Sequence, residues 1–143
     1  MKINVLWQLL LSFGLTLLFN QSLAMEPPLK LVRTSTMVVY KHESTAYTLG
    51  ITTQLRNDHY YDGDMAAKTL FLVDELYRQG WKVDRRQHSA NIQIIVGAAP
   101  KNKKTISKSD LGVLIIWNNP GESAFITINK KNWINDLIEK ITK

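Results

Sequence analysis

The amino-acid sequence predicts an α+β domain: a two-layer sandwich with a mostly antiparallel sheet of about five strands and two amphipathic helices, in the order ββαβββα. Three observations lead there. Short runs alternate apolar and polar residues with the period of two that marks a half-buried strand. Two longer runs repeat apolar residues at helical spacing. Turn-forming residues separate these runs, and no segment repeats another.

The first strand spans Leu31 to Lys41 and is rich in Thr, Val and Tyr. His42 to Thr45 connects it to the second, where Tyr47, Leu49, Ile51, Thr53 and Leu55 alternate with Ala46, Thr48, Gly50, Thr52 and Gln54. The pair reads as a hairpin. Arg56 to Gly63 is a polar loop, and Asp64 is placed as the N-cap of a helix over residues 65–79. The core stripe of that helix is expected at Ala66, Leu70, Val73 and Tyr77, broadened by Met65, Thr69, Leu72 and Leu76. Gly80 is placed to end it in the left-handed conformation.

Trp81 to Val83 restarts as a short extended piece. Ala90, Ile92, Ile94 and Val96 alternate in the next strand, and Ala98 to Asp110 is a loop. Leu111 to Trp117 is nearly continuous in apolar residues, which suits a strand buried on both faces. Asn119-Pro120-Gly121 has the order of a type II turn, and Ser123 to Ile128 returns from it. The last helix covers residues 131–142, with Ile134, Leu137, Ile138 and Ile141 on one face. One sheet face has no helix to cover it, so the N-terminal hairpin or a partner is expected there.

The first 24 residues read as a cleaved signal peptide. Lys2 precedes a mostly apolar run from Val5 to Phe19, and Ser22-Leu23-Ala24 supplies the small residues that a signal peptidase reads. That run is shorter than the roughly 20 apolar residues of a membrane span and is interrupted by Gln8 and Ser12. The expected organisation is a signal peptide over 1–24, an extended leader over 25–30 held out of helix by Pro27 and Pro28, and one globular domain over 31–143. No later segment is long and apolar enough to span a bilayer.

Composition narrows the chemistry. There is no cysteine, which excludes disulfides, thiolate metal sites and lipidation at a cysteine. The absence of disulfides in a small exported domain favours the bacterial periplasm. Removing residues 1–24 takes away only Lys2 and leaves 17 Lys and Arg against 12 Asp and Glu, a net charge of +5. Such a balance favours anionic surfaces without choosing among them.

Asp58-His59-Tyr60-Tyr61-Asp62-Gly63-Asp64 is the densest polar cluster. It fits neither a calcium loop nor a complete zinc ligand set, and an Asp-Gly turn followed by a capping Asp accounts for it. Tyr60 and Tyr61 are candidates for partner contact. Ser44, Glu43 and His42 supply the residue types of a triad, but neighbours on an extended chain point to opposite faces. No nucleophile-elbow, zinc-protease or phosphate-loop motif is present. The basic residues Arg85 and Arg86, and Lys101, Lys103, Lys104 and Lys108, flank one strand at its two ends and are the candidate anion-binding groups.

Phe71 is placed opposite the expected core stripe, among Lys68, Glu75 and Arg78. Phe71, Lys68 and Arg78 are therefore the candidate partner-binding residues on the helix. Leu76-Tyr-Arg-Gln-Gly80-Trp-Lys-Val83 followed by Ala90 to Ile94 resembles in layout small α/β domains of bacterial envelope proteins. This is a supersecondary pattern that carries no functional residues across.

The expected function is an exported interaction domain, an accessory or inhibitory protein of the bacterial envelope that binds another envelope or secreted protein. A second reading is a module for an anionic polymer or lipid headgroup, held by the basic loops. A third is a small hydrolase using Asp58, His59 and Asp62. No metal, cofactor or intracellular nucleic acid is expected.

Overall fold

The longest alternating run becomes the centre of the sheet. The structure, a computed structural model, describes residues 28–56 and 59–142, without the side chains of 59–63. The signal peptide expected over 1–24 and most of the leader lie outside the described residues. The elements are β1 (Leu31–Thr34), β2 (Val38–His42), β3 (Thr48–Arg56), α1 (His59–Arg78), β4 (Trp81–Val83), β5 (Ile92–Ala98), β6 (Gly112–Trp117), β7 (Glu122–Thr127) and α2 (Trp133–Thr142). A single 3-10 turn at Lys108–Asp110 precedes β6.

The described residues form an α+β domain, with one mixed seven-stranded sheet and two helices. The sheet order is β4-β2-β3-β5-β6-β7, with β1 also paired to β3. All neighbours are antiparallel except β3 and β5, whose parallel register runs from Leu49 opposite Ile92 to Thr53 opposite Val96. Adjacent parallel strands need a crossover, and α1 lies between these two in the chain. β4 adds a strand beyond those expected, pairing with β2 at the sheet's edge.

The first expected strand is broken into β1 and β2. The backbone N–H of Ser35 donates to Thr53 O at 2.9 Å, and the N–H of Thr53 donates to Ser35 Oγ at 2.8 Å. The serine side chain thus takes a ladder position, and the chain bends before resuming as β2. The N-terminal strands lie within the sheet and do not curl over its open face.

Both helices pack on one face, which makes the two-layer sandwich. Leu49, Ile51, Ile92, Ile94, Val96, Val113 and Ile115 are buried beneath them. The Thr69 hydroxyl donates to Met65 O at 2.9 Å and meets the Thr53 hydroxyl at 2.9 Å, which ties α1 to β3. The Tyr47 hydroxyl donates to Ile141 O at 2.9 Å and ties β3's approach to the end of α2.

Helix α1 starts before the expected position. It includes His59 to Gly63, so Asp64 is an interior residue, 3.5 Å from Lys68 one turn on, and not the N-cap. A single interior glycine costs roughly 1 kcal/mol relative to alanine, too little to end a helix that the sheet supports. Gly80 ends α1 as expected, with φ of 96°. The turn after β6 also forms, with Gly121 N–H donating to Trp117 O at 3.0 Å, but the Asn119–Pro120 peptide is cis in place of the type II geometry.

The buried stripe of α1 also differs from the expected one. Met65, Leu72 and Leu76 are buried, Thr69 and Val73 are partly buried, while Ala66, Leu70 and Tyr77 are exposed. The flank treated as a broadening of the stripe is its centre. Both sets repeat with helical spacing, and they sit about 100° apart around the axis.

Candidate functional site

Among the described residues, the outward face of α1 carries three large apolar side chains that stay exposed; others include Leu31 and Val32 on β1 and Phe125 on β7. With Met65, Thr69, Leu72 and Leu76 turned to the sheet, 100° per residue directs Leu70, Phe71, Asp74, Tyr77 and Arg78 away from it. Leu70 is 68 % exposed, Phe71 64 % and Tyr77 48 %. Tyr77 leans one edge on the buried Tyr40, ring centroids 6.2 Å apart. Arg78 closes ion pairs with Asp74 at 2.7 Å and Glu75 at 3.2 Å, so its guanidinium is held back along the helix.

Phe71 also borders a groove of about 460 Å3 between the two helices. Glu75 and Arg78 line it from α1, Lys131 from the turn before α2, and Ile134 and Asn135 from the start of α2. Of the residues expected to meet a partner, Phe71 and Arg78 are brought together here. Lys68 is half-buried on the inner side of that flank and held by Asp64, outside the groove. Tyr60 and Tyr61 fall in the first turn of α1, with side chains outside the described residues. Sequence reasoning missed Leu70 and Tyr77 as surface residues because it placed them in the core.

The basic residues are separated. Arg85 and Arg86 precede β5, while Lys101 to Lys108 follow it. The Asp84 N–H donates to Val39 O at 2.8 Å, so Arg85 and Arg86 leave the sheet at its β4 edge, with β2 and β3 between them and β5. Lys103 is engaged by Asp110, and this bond, with those from the Ser107 N–H and hydroxyl, holds the Asp110 carboxyl down to about 2.

In the acidic cluster, Asp58 and the side chains of His59 and Asp62 lie outside the described residues. Among the described residues, no group of three His, Asp or Glu is placed to hold a metal ion. Arg56, at the end of β3, is buried. It donates to Gly97 O from Nε at 3.4 Å and from Nη2 at 3.3 Å, and Nη2 also donates to Gln54 Oε1 at 3.3 Å. Burial lowers its pKa.

His42 and Ser44 do meet, contrary to the opposite-faces argument, because residues 43–44 form a turn. The Ser44 N–H donates to His42 Nδ1 at 3.0 Å, and Ser44 Oγ lies 2.7 Å from the same nitrogen. A backbone N–H can only donate, so Nδ1 is the acceptor and Nε2 carries the proton, donating to Gln79 O at 2.8 Å. The ring stands edge-on to Trp81 at 5.4 Å. Both ring nitrogens are thus used to fasten the β2–β3 turn to the end of α1. Glu43 has no part in these bonds.

The sheet face opposite the helices carries half-buried Ile95, Leu114 and Ile116, and the more exposed Phe125 on the edge strand. Register places Thr52, Ile95, Leu114 and Phe125 in one row. Met37 and Ala90 cover Gly50 at one corner, where an added Cβ would come within 2.8 Å of the Ala90 methyl. No helix among the described residues is long and apolar enough to cross a membrane. No family model, curated protein or solved structure matches the chain.

Proposed function

We propose that this chain is an exported interaction domain, an accessory or inhibitory protein of the bacterial cell envelope that acts by binding another protein through the outward face of α1. The observation that carries the reading is the exposure of Leu70, Phe71 and Tyr77 on one helix. Exposed apolar side chains gathered on one helix face mark an interaction surface, and the sheet takes only the line from Met65 to Leu76. Aromatic side chains beside an arginine also match the composition of interface centres. The signal-peptide pattern and the absence of cysteine support export to a periplasm. The wide separation of the basic groups weighs against one continuous site for an anionic polymer.

The test is cross-linking and affinity capture from the native envelope, using the wild type, Phe71→Ala and the double variant Leu70→Ala/Phe71→Ala. The exported chain should begin at or next to Met25 by mass spectrometry. The double variant should melt like the wild type and lose the captured partner, since an aromatic anchor is commonly worth about 2 kcal/mol or more. Undiminished capture by a folded double variant would remove α1 as the docking face. A chain still carrying residues 1–24 in the membrane would remove the exported reading.

A further inference from the structure

At the end of the sheet away from the β6 start, two asparagines are locked in complementary orientations. Antiparallel register sets Ile92 opposite Trp117, so the residues just outside that pair, Asn91 and Asn118, adjoin. The Asn118 N–H donates to Asn91 O at 2.9 Å. Asn91 Oδ1 accepts from the Thr48 N–H at 2.8 Å and from Thr48 Oγ1 at 3.1 Å. Asn118 Nδ2 donates to Ala90 O at 2.6 Å. A backbone N–H is only a donor and a carbonyl only an acceptor, so neither amide can be flipped without loss. Asn91 is left with its NH2 group to offer, and Asn118 with its oxygen.

These two border a cleft of about 300 Å3, together with Asn119, Tyr47, Trp117, and the buried Ile92 and Ile141. That volume lies at the lower end of the roughly 300–1,000 Å3 of small-ligand pockets. The Asn119 side chain and the Trp117 indole N–H have no hydrogen-bond partner among the described residues. The Tyr47 hydroxyl spends its proton on Ile141 O and keeps its oxygen as an acceptor. Among the described residues, none that lines the cleft is charged.

We propose that this cleft binds a neutral saccharide of one or two rings. A sugar hydroxyl both donates and accepts, which is what a fixed amide NH2 beside a fixed amide oxygen can satisfy together. The C–H face of a pyranose is apolar and packs on an aromatic ring, here supplied by Trp117 and Tyr47. An ionic ligand would meet no opposite charge among the described lining residues and would lose hydration without return.

The experiment is a 15N NMR titration of the exported protein with N,N′-diacetylchitobiose, maltose and, as an anionic comparison, inorganic phosphate. At least one sugar should shift the side-chain amides of Asn91, Asn118 and Asn119 and the Trp117 indole signal, saturating with a dissociation constant on the order of 1 mM. Phosphate should leave these signals in place. Asn119→Ala, which breaks no internal bond, should keep the melting temperature and weaken the sugar about fivefold, the usual worth of one hydrogen bond. The proposal fails if neither sugar moves these signals, if phosphate saturates them, or if Asn119→Ala binds the sugar as tightly as the wild type. Capture of a protein partner through α1 is read independently of this cleft.

Discussion

The two helices use their apolar residues in opposite ways. In α2, Trp133, Leu137, Ile138 and Ile141 are all buried and Ile134 partly so, leaving Asn135, Glu139 and Lys140 outward. In α1, Met65, Leu72 and Leu76 are buried, yet Leu70, Phe71 and Tyr77 stand exposed on the other side. One helix spends its apolar surface on the fold, and the other keeps a second set free. Amphipathic helices that only complete a core need a single stripe. A helix with two stripes has a use for the second, and this is the ground for reading α1 as a docking element.

The largest effects are expected on the buried stripes of the two helices. Leu137→Ala in α2 and Leu72→Ala in α1 remove side chains that are 0 % exposed. Each should cost about 2–5 kcal/mol, the range for leucine truncation in a packed core. Urea denaturation checks this. A loss below about 1 kcal/mol at Leu72, with the full loss at Leu137, would mean that α1 is loosely held and that its inward face has been misassigned.

The helix ends give the next largest effect. α1 stops on Gly80 with φ of 96°, and a Cβ there would lie 2.8 Å from His42 Nε2. Gly80→Ala combines backbone strain with displacement of the imidazole that bonds Gln79 O, and should cost about 1–3 kcal/mol. The corresponding end of α2 closes on a side chain, the Thr142 hydroxyl donating to Ile138 O at 2.8 Å. Thr142→Ala should cost about 1 kcal/mol or less, the net worth of one partly exposed hydrogen bond. Thermal melts of the two variants in parallel would show whether α1 depends more on its stop than α2 does.

The same contrast explains what could be read from the sequence. α2 was legible because Ile134, Leu137, Ile138 and Ile141 form its only stripe. In α1, Ala66-Leu70-Val73-Tyr77 and Met65-Thr69-Leu72-Leu76 fit the helical period equally well, and the choice lies in the sheet, where Thr53 meets Thr69. Local signals placed β3, β5, β6 and β7 closely, and the layered fold with them. The break between β1 and β2 was hidden, since it depends on Ser35 reaching Thr53 across the ladder and not on a local Pro or Gly. The saccharide cleft was equally hidden. Asn91 and Asn118 are far apart in the chain, and only the pairing of β5 with β6 joins them.

Charge at the helix ends should matter less. Asp136, in the first turn of α2, lies 3.2 Å from Lys130 and faces the positive end of the helix dipole. Arg78 occupies the last turn of α1, near its negative end. Asp136→Asn and Arg78→Gln should each cost about 0.3–1 kcal/mol at low ionic strength, and less in high salt, because these pairs are screened. Equal costs at low and high salt would show that packing, not charge, accounts for them.

The smallest effect on folding is the most informative about α1. Leu70→Ala makes the same chemical change as Leu137→Ala, on a side chain that is 68 % exposed. Little apolar area returns to water when it is truncated, so the expected change is within about 0.5 kcal/mol. Phe71→Ala should behave alike, since the groove beside Ile134 covers only part of the ring. Matched urea curves for Leu70→Ala, Phe71→Ala and Leu137→Ala would therefore separate the outer stripe from the core by several fold. Should Leu70→Ala or Phe71→Ala cost as much as Leu137→Ala, the outer face of α1 is already buried by part of the chain outside the described residues. The partner contact would then move to the row Ile95, Leu114 and Phe125 on the other side of the sheet. Should both be neutral for folding and still abolish capture, the second stripe is a binding surface and not an accident of composition.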